Sequence, residues 1–163
     1  MSSFSPGTES GVSLRQEEYD LWMRYANADY DLVQHLYFGD YYPKPLEIIC
    51  YHCQQAAEKA VKAVIAYFGN QGGMPKLHDI QFLLMQIRNL VKAKTGADID
   101  ETLLDQAAEL TKYGVAPRYP NAMEIGDPET RRAIQNAGAI LEWARSVVRE
   151  TDGRPASPAN HSG

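Results

Sequence analysis

Residues 49–59 read ICYHCQQAAEK, two thiols and an imidazole within four positions. Those are the residue types of a zinc site or a redox pair. Apolar residues at Ile49, Cys53, Ala57, Ala60, Val64 and Phe68 recur at helical spacing, so the stretch belongs to a helix. On a helix each residue turns by about 100°, which puts Cys50 about 60° to one side of Cys53 and His52 about 100° to the other. Three ligands so splayed cannot converge on one ion. A structural zinc site also needs a second ligand pair, and the remaining histidines, His35, His78 and His161, are isolated in sequence. A C-x-x-C redox pair belongs at a helix N-terminus, whereas both cysteines here lie inside a helix. They are expected to be buried thiols, with no metal and no cofactor. His52 sits at the edge of the stripe, with Lys59 two turns on and about 20° away. It is either a half-buried histidine at a helix seam or one wall of a polar pocket.

Five helices would position these residues. The first runs from about Glu17 to Phe38, with Leu21, Trp22, Tyr25, Leu32 and Leu36 as its inner stripe; Met23, Tyr30 and Val33 form a second stripe beside it. The second runs from Pro45 to Phe68 and stops at Gly69, a left-handed C-terminal residue. The third starts near His78 and carries Ile80, Leu83, Leu84, Ile87, Leu90 and Val91. Asp98 with Glu101 resembles a capping box for a fourth helix through Leu103, Leu104, Ala107, Leu110 and Tyr113. Asp127-Pro128 opens the last helix, with Ile134, Ala137, Leu141, Ala144 and Val148 inward. The fold class is all-α, an up-and-down bundle of four or five helices over residues 15–150. Residues 1–14 and 151–163, rich in Ser, Gly and Pro, are expected to be disordered tails.

The 163-residue chain is long enough for one domain with its own core. Its 16 basic against 21 acidic residues give a net charge of −5, which argues against a broad electrostatic nucleic-acid binder but leaves room for a local basic patch. Two cysteines do not make a disulfide framework, and no apolar run is long enough to span a membrane. The MSSFSPGTESGVS start lacks the features of a signal peptide. A cytoplasmic location is expected.

The run CYHCQQAAEKAVKAVIAYFG, then KLHDIQFLL, then AAELTKYGVAPRYPNA, resembles the HEPN domain family (higher eukaryotes and prokaryotes nucleotide-binding). The matching positions are His52 to Val64 with Gly69, then His78-Asp79-Ile80, then Tyr113 with Pro117-Arg118-Tyr119-Pro120, covering about residues 17–149. The resemblance implies a helical bundle that commonly forms a homodimer. It also implies one of three roles: a metal-independent ribonuclease, often a toxin; the partner of a minimal nucleotidyltransferase in a toxin–antitoxin-like pair; or a nucleotide-binding or non-catalytic module. The family's ribonucleases use an Arg followed four to six residues later by a His. No arginine here is followed so: YPNAMEIGD follows Arg118 and NLVKAKTG follows Arg88. Without that histidine the proton step lacks its carrier, so no catalytic residue is assigned unless His52 or His78 substitutes spatially.

The candidate ligand-binding residues are Arg118, Tyr119, His52, Lys59 and His78. Arg118 offers a planar fork for phosphate and Tyr119 a stacking surface for a base, both on an irregular loop. Alternatively, Arg118 pairs with a helix-end carboxylate and Tyr119 packs on the bundle. His78-Asp79 also has a structural role available at a helix start, where Asp79 favours the positive end of the dipole. Glu58 and Lys59 read as solvated helix-face charges, and Arg131-Arg132 as surface. Three functions follow: a dimeric module binding nucleotide or RNA phosphate beside a nucleotidyltransferase, a divergent ribonuclease, or a structural bundle without ligand.

Overall fold

The computed structural model describes residues 7–69, 72–114 and 125–152, the first seven of these as backbone only. Five helices follow one another: α1 (Gly7–Phe38), α2 (Leu46–Phe68), α3 (Ile80–Thr95), α4 (Glu101–Thr111) and α5 (Asp127–Asp152). No strand occurs among the described residues. The all-α bundle expected from the apolar periods is what forms.

α2 is the central helix and touches all four others. Its sequence explains why. Ala56, Ala57, Ala60, Ala63 and Ala66 leave room for close neighbours, while Ile49, Val61, Val64 and Ile65 fill the gaps; all are buried. A helix apolar nearly all round belongs inside a bundle. α1 and α5 pack on it and on each other, and α3 and α4 close the other side. Leu83, Leu84, Leu110, Ile140 and Leu141 are fully enclosed between them. Gly69 ends α2 with a φ of +79°, a conformation that side chains other than glycine's rarely adopt.

Four expectations are corrected. The inner stripe of α1 is Met23, Ala26, Val33 and Tyr37, with Tyr30 partly buried against the same core. Leu21, Tyr25 and Leu32, expected inside, are 43%, 51% and 41% exposed. The two stripes lie on different faces of one helix, so periodicity identifies both and chooses neither. α1 also starts at Gly7, ten residues before Glu17, and takes in part of the segment expected to be a tail. Once a helix is nucleated, each added residue brings its own hydrogen bond. Finally, α4 is capped by Asp100, whose carboxylate accepts from the Thr102 amide at 3.0 Å. Asp98 and Glu101 instead bind Arg88 of α3 at 2.8 and 3.2 Å. On α3, Leu90 is 38% exposed rather than inward.

Cys50 and Cys53 are both fully buried and free, as expected of thiols inside a helix. Burial raises both thiol pKa values, so neither is a ready thiolate. Cys53→Ser places a hydroxyl in this apolar interior and is expected to cost about 1–3 kcal/mol, the desolvation of an ill-satisfied polar group. Thermal denaturation followed by far-ultraviolet circular dichroism checks this.

Candidate functional site

The bundle interior is not wholly apolar. Gln54, Glu58 and Lys62 occupy successive turns of α2 and are 0%, 4% and 7% exposed. Residues four apart on a helix drift by about 40°, so the three form a slowly turning polar column. Buried polar groups need partners, and each of these has one. Gln54 Nε2 donates to the His78 carbonyl at 3.2 Å, and its Oε1 accepts from Gln55 at 2.7 Å. Glu58 Oε1 lies 2.7 Å from His78 Nδ1, and its Oε2 lies 4.0 Å from Lys62 Nζ. Lys62 Nζ also stands 5.8 Å above the Trp22 ring of α1, a cation–π contact. Glu58, expected on a solvated face, is thus a buried carboxylate.

The column fixes the start of α3. Asp79 caps that helix by accepting from the Phe82 amide at 3.0 Å, as its place near a helix start suggests. The Ile80 amide donates to Thr111 Oγ1 at 3.1 Å, joining the start of α3 to the end of α4. His78 is therefore held from two sides, with its carbonyl on Gln54 and its Nδ1 on Glu58. Its side chain is nevertheless 72% exposed against 6% for Glu58. A buried carboxylate that orients an exposed imidazole leaves Nε2 turned away from its partner, where the neutral ring can take up a proton and the imidazolium can donate one to an oxyanion.

Gly114 ends the α4 segment against the same column. A Cβ there would lie 3.0 Å from Gln54 Cδ and Nε2, so the chain passes closely where residues 115–124 begin. Tyr113 beside it is buried, and desolvation pushes its phenol up to about 12.

A second polar group lies about 100° round α2 from Glu58. Asp29 of α1, only 14% exposed, receives Lys59 Nζ at 2.5 Å and His52 Nδ1 at 3.1 Å. His52 and Lys59 do meet, but through a carboxylate that sequence reading missed. The one signal for it was a lysine and a histidine seven residues apart on the same side of α2, which an acid opposite would satisfy together. The structure separates these two residues from His78, which belongs to the Glu58 group. Arg118 and Tyr119 lie outside the described residues. Cys50 reaches Thr130 Oγ1 at 3.6 Å while His52 turns to Asp29. No group of three or more metal-ligating side chains occurs among the described residues, and no helix among them is long and apolar enough to cross a membrane.

The HEPN domain family model matches residues 19–147. Two solved structures are similar along most of the chain. TT1696 from Thermus thermophilus is 28% identical, with a TM-score of 0.63 over 79% of this chain and 97% of its own. ST0689, described as an archaeal HEPN homologue, is 27% identical, with a TM-score of 0.55 over 78% of this chain and 95% of its own. No curated protein matches.

Removing one member of a buried ion pair strands the other and costs about 3–5 kcal/mol. Glu58→Leu is expected to lose that much stability because it strands Lys62. Adding Lys62→Met should restore most of the loss. Urea unfolding of both single variants and the double variant measures the coupling.

Proposed function

Because the chain belongs to the HEPN domain family, we propose that it is a binding module that holds the phosphate of a nucleotide or an RNA. In this reading it works as a homodimer beside a nucleotidyltransferase, in a toxin–antitoxin-like pair. One observation carries the phosphate reading. His78, mostly exposed and held at Nδ1 by the buried Glu58, has its carbonyl on Gln54, against which Gly114 leads into the segment that contains Arg118. Arg118 would bring a guanidinium to the phosphate and Tyr119 a stacking surface to a base, with the His78 imidazolium as a further donor. His52 and Lys59, tied to Asp29, would be further polar contacts from the neighbouring side of α2. The apolar stripe of Leu21, Tyr25 and Leu32 left outside on α1 supports dimer formation.

A second reading, a divergent ribonuclease, draws on the Glu58–His78 pair. A carboxylate holding Nδ1 and leaving Nε2 outward is the arrangement that lets a histidine exchange protons with a substrate hydroxyl. RNA degradation in the presence of chelator, lost in His78→Ala, would favour it. Protein inert toward RNA would leave the binding module.

Arg118→Ala is expected to weaken nucleotide or RNA binding by about 1.5–3 kcal/mol, the range for hydrogen bonds to charged groups, with the melting temperature unchanged. Binding should also weaken as salt is added. A lower melting temperature with unchanged affinity would make Arg118 a structural tie and sink the site.

A further inference from the structure

Three aromatic rings stand in water where the chain turns from α1 into α2. Phe38, Tyr41 and Tyr42 are 68%, 59% and 89% exposed. A cluster of apolar side chains left outside marks a contact surface. At about 100° per residue, Phe38 lies about 100–140° round α1 from Leu21, Tyr25 and Leu32. The stripe that supports the dimer therefore does not account for it.

We propose that this turn is a stacking platform for the bases of single-stranded RNA. The proposal rests on the phosphate reading of the His78 site and extends it to a longer ligand.

The rings sit on a fixed mount. Tyr37, buried near the end of α1, anchors it. Its hydroxyl donates to Asp127 Oδ1 at 2.6 Å and accepts from Arg131 Nε at 2.8 Å, both at the start of α5. Phe38 stands edge-on to the Tyr37 ring, with centroids 4.9 Å apart and planes at 89°. Lys44 closes the turn from its other end. Its Nζ donates to the Gly39 carbonyl at 3.1 Å and lies 5.7 Å from the Tyr37 centroid. A surface already ordered loses little entropy when a ligand lands on it.

Principles of helix geometry connect this mount to His78. Gln54 holds the His78 carbonyl, and Cys50, one turn earlier, shares its face of α2. Cys50 meets Thr130 of α5 at 3.6 Å, and the next residue, Arg131, holds Tyr37. Leu46, where α2 opens after the turn, is about 12 Å along the axis from Gln54. Stacked nucleotides advance about 3.4 Å each along one strand. Three or four of them span the distance, whereas a mononucleotide held at His78 does not reach the rings.

Rings rather than charge select this ligand. Asp127 lies 2.9 Å from Arg131, and Asp40 and Glu47 are exposed on the same stretch as Lys44, so the turn carries no excess of positive charge. Duplex RNA is recognised through its phosphates, 2′-hydroxyls and shape and keeps its bases stacked inside. Unpaired bases offer the faces that stack on aromatic side chains, and every base has one.

Fluorescence anisotropy of a labelled oligoadenylate decamer on the full chain tests this, with adenosine monophosphate as the short ligand. Tyr41→Leu with Tyr42→Leu should weaken decamer binding about fivefold or more, the scale of base–aromatic stacking. Tyr41→Phe with Tyr42→Phe should keep it. Mononucleotide affinity and melting temperature should be those of the parent in both variants. Decamer affinity unchanged by the leucine pair would overturn the proposal, and so would an equal loss with the phenylalanine pair. A lower oligomeric mass of the leucine variant in light scattering, with decamer affinity unchanged, would assign the rings to a contact between copies instead. A parent chain that binds neither ligand would sink the phosphate reading together with this one. Decamer binding that needs Arg118 but not the two tyrosines would sink this one alone.

Discussion

α2 packs against all four other helices, yet it carries the carboxylate of Glu58 within its buried surface. An unpaired charge there would cost several kcal/mol, so the surrounding chain is constrained to satisfy it. Lys62 and His78 do so, and Gln54 one turn earlier takes the His78 carbonyl. The polar column thereby dictates where the segment before α3 must lie. Thr111, reached by the Ile80 amide, transmits the constraint to the end of α4. From one buried acid follows the meeting of α2, α3 and α4 at the place where the chain enters residues 115–124.

The same arrangement has a chemical consequence. Packing alone would hold a histidine on an apolar face and bury both of its nitrogens. Here the satisfaction of Glu58 holds one nitrogen inside and leaves the ring mostly in water. The Asp29 group differs: its carboxylate draws Lys59 and His52 of α2 toward α1 and ties the helix pair together. One group presents a side chain and the other fastens a seam, although both are built from a carboxylate and neighbouring α2 residues.

The five helices were legible in the sequence because each carries apolar residues at helical spacing between clear breaks. Ile134, Ala137, Leu141, Ala144 and Val148 all point inward as their spacing requires. α1 was legible as a helix but not in its orientation, because Leu21, Tyr25 and Leu32 compete with an equally apolar row. Glu58 was misread for a related reason. In QQAAEKAVK a glutamate beside a lysine looks like a solvated charge pair, and only the partners brought by residues 74–79 and α1 reveal that it is buried. Asp29 carried no mark of its own. Arg118 and Tyr119 were legible as a motif in a loop, which is a statement about residue type and not about position.

The central claim is that Glu58 holds His78 by its Nδ1 and leaves Nε2 outward. Nitrogen-15 chemical shifts of the His78 ring test it directly. The neutral ring should carry its proton on Nδ1, donated to the Glu58 carboxylate, and Glu58→Gln should shift the balance toward the Nε2-protonated form. A parent protein in which His78 is mainly the Nε2–H tautomer, unmoved by Glu58→Gln, would contradict the account.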